Sequence, residues 1–365
     1  MNKKAFISPL QLFIIFTNIS IGAGILTLPR SVAEIAEHDM WMSVVVGGLL
    51  MFLSLLASIR LSQHFPEHTC LEYHRILLGP VLGQIINLVL LSLIIVLAAL
   101  ALRTFSTAVR MFLFDLTPSR IVAGSILALA VYATQYGYTP LLRMQQVSFL
   151  TIYVLFTIVL LLGLLGIRSE QFLPMLAEGI GPVLKGAVPS WFSFSGSELI
   201  AGLVFPYLIH QRSAVKTGIA SIAFVTAIFT LTIIIVQGNL SPAATAHQVF
   251  PTITAFRDVE IPDTFIERLD GYFVSLWIVV YFNSLTNLLF CASFGVSRLL
   301  QLEDSRSLTV LLAPLMYYLS QLAPSIVENF TAGELFNKIG MVWGLGILPI
   351  LLLLAWYRKK RQQTC

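Results

Sequence analysis

From about Phe6 to Val32 the chain is apolar for long enough to cross a bilayer, which takes about 20 residues. The middle of that run is interrupted by Gly22-Ala23-Gly24, with Thr17, Asn18 and Ser20 just before it. Glycine in a helix interior costs about 1 kcal/mol against alanine and lets the backbone leave helical geometry. In hydrocarbon, non-helical backbone is tolerated only where it is buried in protein or lines a cavity. The interruption therefore has two readings: a small-residue face for close helix packing, or a broken span whose amides hold a ligand at mid-membrane depth.

Apolar runs of this kind recur at roughly 8–36, 40–62, 80–110, 119–137, 146–167, 188–210, 214–238, 270–297, 307–323 and 337–357. Only 11% of the residues are charged, against about 25% in soluble domains, so the fold class is an all-α membrane protein with ten transmembrane helices. One integral membrane domain spans 1–365, in two repeats of about 8–167 and 188–357. An even number of spans puts both termini on one side. Thirteen of the 22 basic residues, among them Lys3, Lys4 and Arg358-Lys359-Lys360-Arg361, fall on that side, which makes it cytoplasmic. The basic residues cluster at span ends, so the net charge of +4 points to membrane lipid and not to nucleic acid. Cys70, Cys291 and Cys365 read as unpaired. Met1-Asn2-Lys3-Lys4 imitates the start of a secretory signal, but the apolar run continues for a full span without a cleavage site, and a retained first helix is expected.

The stretch from Pro66 to Gly79 alternates polar and apolar residues and predicts a short interfacial helix. His64, His68 and His74 lie in or near it, as scattered loop histidines or as a metal site. The long connection from Asn239 to Asp270 is expected to contain a short helix.

The sixth run repeats the anomaly of the first. Ser193, Phe194, Ser195, Gly196, Ser197 and Glu198 place three serines, a glycine and a carboxylate in an otherwise apolar helix, and serine competes for backbone hydrogen bonds. Glu198 has two readings: an ionisable group at membrane depth that serves a site, or a protonated or serine-paired acid that holds the break together. Interrupted helices at matching places in two halves point to an inverted-repeat transporter fold. The eighth run carries Asn283, Ser284 and Asn287, polar groups that either touch a ligand or bond neighbouring helices. In the third, Ala98, Ala101 and Leu102 would face the midplane and shape a small pocket.

The Ile21-Gly22-Ala23-Gly24-Ile25 break, the ten-span layout and the second break at Ser195-Gly196 resemble the amino acid–polyamine–organocation transporter superfamily. The opening Ile7-Ser8-Pro9-Leu10-Gln11, the short tails, and Phe265-Ile266-Glu267-Arg268-Leu269-Asp270 leading into a span with Trp277 look like the B-subunit family of spore germinant receptors (spore germination proteins). The resemblance covers essentially the whole chain. It implies a multi-pass protein of the spore inner membrane that senses a small nutrient, often an amino acid, beside an A-subunit and a lipoprotein C-subunit. It places the ligand at the first-span break beside Ile21, with the carboxylate on Gly22, Ala23 and Gly24, and the amine at Ser193 to Ser197. Some proton-coupled relatives carry a lysine in the fifth span; here Gln146 to Ile167 has none, which fits a receptor.

The residues by themselves support a ligand-binding cavity between two repeats, with an α-amino acid as the chemically suited ligand. A sensor, an amino acid permease or symporter of the same fold, and a structural scaffold are the competing readings. The scaffold leaves both breaks unexplained. No metal-ligand spacing, nucleophile constellation or phosphate loop supports catalysis or a cofactor.

Overall fold

A computed structural model describes residues 6–259, 268–302 and 304–363. Among these the chain is helical throughout, and its one β contact is an isolated parallel bridge between Ile7 and Leu208. Lys3, Lys4, Phe265, Ile266, Glu267 and Cys365 lie outside the described residues.

The first run forms two helices. Helix α1 (Pro9–Ile21) starts in a capping box: Gln11 N–H donates to Ser8 Oγ at 3.2 Å and Ser8 N–H to Gln11 Oε1 at 3.0 Å, with Pro9 at the first position. Proline has no N–H to leave unpaired there, which gives the Ser8-Pro9-Leu10-Gln11 motif a physical reason. Helix α1 ends at Gly22, whose φ of +27° suits glycine, and α2 (Gly24–Ala36) continues the run. Helix α3 (Met40–His64) returns to the face where the chain begins. There the predicted interfacial helix appears as α4 (Cys70–Leu78), opened by a Thr69–Glu72 capping box. Helices α5 (Pro80–Phe112), α6 (Ser119–Gln135) and α7 (Tyr138–Gly163) follow.

The second interrupted run is α8 (Gly181–Phe194) and α9 (Ser197–Val204), parted at Gly196, whose φ is +127°. Then come α10 (Ala214–Asn239), the short α11 (Pro242–His247) and α12 (Pro251–Arg257) within the long connection, α13 (Leu269–Leu299) and α14 (Arg306–Gln321). The last run is α15 (Ile326–Met341), a π-helical turn over Val342–Ile347, and α16 (Leu348–Gln363).

Six continuous helical stretches among the described residues are long and apolar enough to cross a membrane, and the protein is a membrane protein. Three runs begin seven or more residues before the sequence expectation. Helix α7 begins at Tyr138 instead of 146, because Gly137, at φ +90°, sets the turn directly before it. Helix α8 begins at Gly181 instead of 188, with Pro182 in its first turn. Helix α15 begins at Ile326 instead of 337, where the Ser325 hydroxyl accepts from Glu328 N–H. In each case the added turns are polar or small-residue-rich and lower the local hydropathy.

The two interruptions touch one another. Ser20 Oγ donates to Ser197 Oγ at 3.4 Å. A Cβ added at Gly196 would meet the Ile19 side chain, and one at Gly24 would collide with the Ser193 carbonyl oxygen. Both ends of the described chain lie on the face of α4: Phe6 and Ile7 N–H both donate to Tyr207 O, and Arg358 donates to Ile76 O.

Candidate functional site

A cavity of about 380 Å³ begins at the two breaks and opens toward the face opposite the chain ends. Its deep wall is Ile19, Ser20, Gly22, Ala23 and Gly24 from the first break, Ser193 and Ser195 from the second, Leu97 and Ala101 from α5, and Ser284 and Leu288 from α13. Asn329, Gly333 and Asn337 from α15 line it further out. Glu34, Glu334 and Lys338 stand at its mouth. There Arg30 pairs with Glu34 at 3.1 Å and lies 5.1 Å over the Phe330 ring.

Below the cavity the route to the other face is closed by side chains. Tyr153 O–H donates to Asn18 Oδ1 at 3.0 Å. Gln145 Nε2 and Tyr138 O–H donate to Asn287 Oδ1 at 3.3 Å each. Beneath these, the Phe6 and Tyr207 rings meet at 5.6 Å.

Four half-helix ends converge at this depth, two with unpaired amides and two with unpaired carbonyls. At the amide end of α9, Gly196 N–H donates to Glu198 Oε2 at 2.8 Å, so that end already carries a carboxylate. At the carbonyl end of α1, Trp277 Nε1–H donates to Gly22 O at 2.8 Å. The amide end of α2 has no capping side chain, and Ala23 and Gly24 line the cavity. The carbonyl end of α8 presents Ser193 O against Gly24. Each half-helix end carries about half an elementary charge. The cavity thus offers a positive and a negative end side by side, and the deep wall carries no charged side chain.

The structure brings together Gly22, Ala23, Gly24, Ala101, Ser193, Ser195 and Ser284 around this space. It places Ile21, Ala98 and Phe194 in the packed core behind it, with Phe194 against Phe229 at 4.7 Å. Gly196 lies against Ile19 and Leu97, and Ser197 bonds Ser20. Glu198 is 2% exposed, with one oxygen on Gly196 N–H and the other without a partner among the described residues. The Asn287 side chain faces α7 and exchanges bonds with Gln145, which also donates to the Asn283 main-chain carbonyl; Asn283 Oδ1 is buried without a partner among the described residues. Leu102 is buried away from the cavity, and Leu97, Leu100 and Thr104 line it beside Ala101.

Sequence reasoning missed the cavity-lining turns at the start of α15. The signal was the four-residue spacing of Asn329, Gly333 and Asn337 beside Phe330, Glu334 and Lys338, two neighbouring rows on one helix face. Of the histidines, His74 is buried with Nδ1 on Asn87 Oδ1 at 2.8 Å, and His68 is 3.5 Å from Glu72. Among the described residues no group of three or more His, Cys, Asp or Glu side chains could hold a metal ion.

A profile of the family described as spore germination protein matches residues 6–326. The chain belongs to that family. Among its relatives, spore germination protein YndE of Bacillus subtilis (strain 168) is 32% identical over 358 residues, covering 97% of each chain. Spore germination protein B2 of the same organism is 25% identical, over 96% of this chain and 95% of that one. Spore germination protein KB is 26% identical, over 99% and 97%. The crystal structure of MhsT in complex with L-phenylalanine superposes with a TM-score of 0.74 at 12% identity, over 97% of this chain and 89% of that chain. A spore germination protein therefore shares its fold with a protein captured holding an amino acid.

Proposed function

We propose that this spore germination protein is the nutrient-binding B-subunit of a germinant receptor, and that its ligand is an α-amino acid held as a zwitterion between the amide end of α2 and the carbonyl end of α8. One observation carries the reading: of four half-helix ends at the breaks, the α9 amides are held by Glu198 and the α1 carbonyl by Trp277, and the remaining two, which line the cavity, are of opposite sign and adjacent. A carboxylate on the α2 amides and an ammonium on the α8 carbonyls would satisfy both ends. At about 380 Å³ the cavity falls at the small end of ligand pockets, which suits a free amino acid. The L-phenylalanine bound to MhsT, a protein of the same fold, supports the ligand class.

In this reading the helices make ten crossings in a 5+5 inverted repeat, with α1/α2 and α8/α9 as the broken first and sixth members. Both termini lie in the cytoplasm and the cavity opens to the outer side of the spore inner membrane. Ligand binding favours one conformation, and that preference passes to an A-subunit and a lipoprotein C-subunit. The rival is a permease or symporter of the same fold. The fifth run without lysine favours the sensor.

The test is binding of labelled amino acids to the purified protein, paired with uptake into proteoliposomes. Saturable binding without net uptake is expected. Accumulation under a proton or sodium gradient, well above empty vesicles, would replace the sensor by the permease. Deleting the A-subunit should leave binding intact and stop germination.

A further inference from the structure

The negative end of α1 is held by a residue that lines no part of the cavity. Trp277 on α13 is fully buried, and its indole N–H reaches the Gly22 carbonyl at 2.8 Å. The ring is fixed from its other side: Phe105 lies 5.4 Å and Tyr281 5.7 Å from it, and those two stack at 4.2 Å. Phe105 directly follows Thr104, a cavity residue on α5.

The carbonyl of Gly22 and the amide of Ala23 belong to one planar, trans peptide group, so their C=O and N–H point in opposite directions. Holding the carbonyl toward Trp277 turns the Ala23 N–H away from it, and Ala23 lines the cavity. Gly22, at φ +27°, has no side chain of its own to fix that plane, and Ser284 presses where a Cβ would stand. Half-helix carbonyl ends at membrane depth elsewhere serve as places for cations; here a neutral N–H occupies the last carbonyl of the turn.

We propose that Trp277 is the positioning residue of the first break: by bonding the Gly22 carbonyl it aims the Ala23 and Gly24 amides at the ligand carboxylate, while Gly22 N–H stays on Asn18 O at 3.0 Å, and it does so without a cation. The ligand part of this inference rests on the reading under Proposed function; the backbone part does not.

The test uses the purified full chain with Trp277→Phe and, because that variant also changes shape, Trp277 replaced by benzothienylalanine, which keeps the bicyclic ring and puts sulfur in place of the N–H donor. Hydrogen exchange without ligand is read first. Both variants should raise exchange at least tenfold over residues 19–27 and leave α3 and α10 as in the wild type. Unchanged exchange at 19–27, or an equal rise everywhere, would reduce Trp277 to a packing residue and overturn the proposal.

Binding is read with L-leucine and with 3-methylbutan-1-amine, its counterpart without the carboxylate. Both variants should lose about tenfold for leucine and nothing for the amine. An equal loss for both probes would overturn the proposal, since the carboxylate would then gain nothing from the indole. Wild-type affinity for leucine should agree within twofold in sodium and in choline chloride, and a sodium requirement would also overturn it. Should leucine and the other amino acids fail to bind the wild type while the local exchange effect appears, the ligand reading falls and the Trp277 clamp stands.

Discussion

The two helix breaks are made of similar residues and are finished in opposite ways. In the second, the chain supplies its own anion: Glu198 returns two residues to the Gly196 amide, and Ser197 bonds Ser20. In the first, the amide end of α2 is left without a capping side chain and faces the cavity. A carboxylate near a helix start is worth about 0.3–1 kcal/mol when exposed and up to about 2 when partly buried. The second break therefore needs no visitor, whereas the first gains from one. Two interruptions that look alike in sequence divide into a brace and, on the proposed reading, a receptor for charge.

The largest effect should come from the contact that holds the breaks together. A methyl at Gly24 would collide with the Ser193 carbonyl, which is backbone and cannot rotate aside. Gly24→Ala should cost several kcal/mol, on the order of 3–5, seen as loss of the protein from membranes or a sharply lowered Tm in detergent. Gly271→Ala, where a Cβ meets nothing within 4 Å, is the matched control and should be neutral or slightly stabilising. A normal Gly24→Ala protein would separate the two breaks and end the comparison.

Next comes the open end itself. Ala23 is half-buried and lines the cavity, so Ala23→Leu adds three carbons to the space proposed for the carboxylate. Amino acid binding should fall by about 100-fold, or roughly 3 kcal/mol, with Tm within a few degrees of the wild type. Retained affinity would show that the ligand sits elsewhere.

The braced end gives the third. Glu198→Leu leaves the Gly196 amide buried without its acceptor, a loss of about 1–3 kcal/mol, and should lower Tm while sparing affinity in the protein that folds. Glu198→Gln keeps a carbonyl oxygen for that amide and should stay within about 1 kcal/mol in stability, with unchanged affinity. A Gln variant of normal stability that no longer binds would move Glu198 from the brace to the ligand.

How much of this was legible in the sequence follows from chemistry. Gly22-Ala23-Gly24 and Ser195-Gly196 stand out because glycine and hydroxyl clusters are costly inside apolar helices, and α4 was readable from its alternation. The start of α15 was not, because Asn329, Glu334, Asn337 and Lys338 depress hydropathy in the turns that line the cavity. Glu198 could not be assigned, because its reach to Gly196 depends on a φ of +127°, and local pattern does not encode that angle. Asn283 and Asn287 do share a helix face, as their spacing requires. Which neighbour that face meets, here Gln145 on α7 for the Asn287 side chain, is a tertiary fact.

The smallest expected effect tests whether the braced break also leans on the interfacial helix. Residue Gly202 of α9 packs where a Cβ would meet Tyr73 and Cys70 of α4. Beside them His74 is fully buried, its Nδ1 on Asn87 Oδ1, while Asn87 Nδ2 donates to Leu71 O and so fixes which amide atom accepts. His74 Nδ1 must therefore carry the proton. Nε2 has no partner among the described residues and sits near the Trp343 ring, 6.0 Å between centroids. Burial pushes the imidazole down to about 4, against the smaller upward pull of Asn87. A histidine in the unfolded chain titrates near 6.5, so between about 6.5 and 4 the unfolded state binds more protons than the folded one, and stability rises with pH across that window. The contribution is complete above about 6.5 and shrinks as the medium is acidified, by about 1–2 kcal/mol at pH 5. Thermal melts of the purified protein between pH 7.5 and 5 should show this decline, and His74→Gln should flatten it. Hydrogen exchange at pH 5 should rise in α4 and α9 before it rises at residues 19–27. An equal rise at both breaks would mean that α4 supports them alike, and the division between brace and receptor would no longer extend to the terminus face.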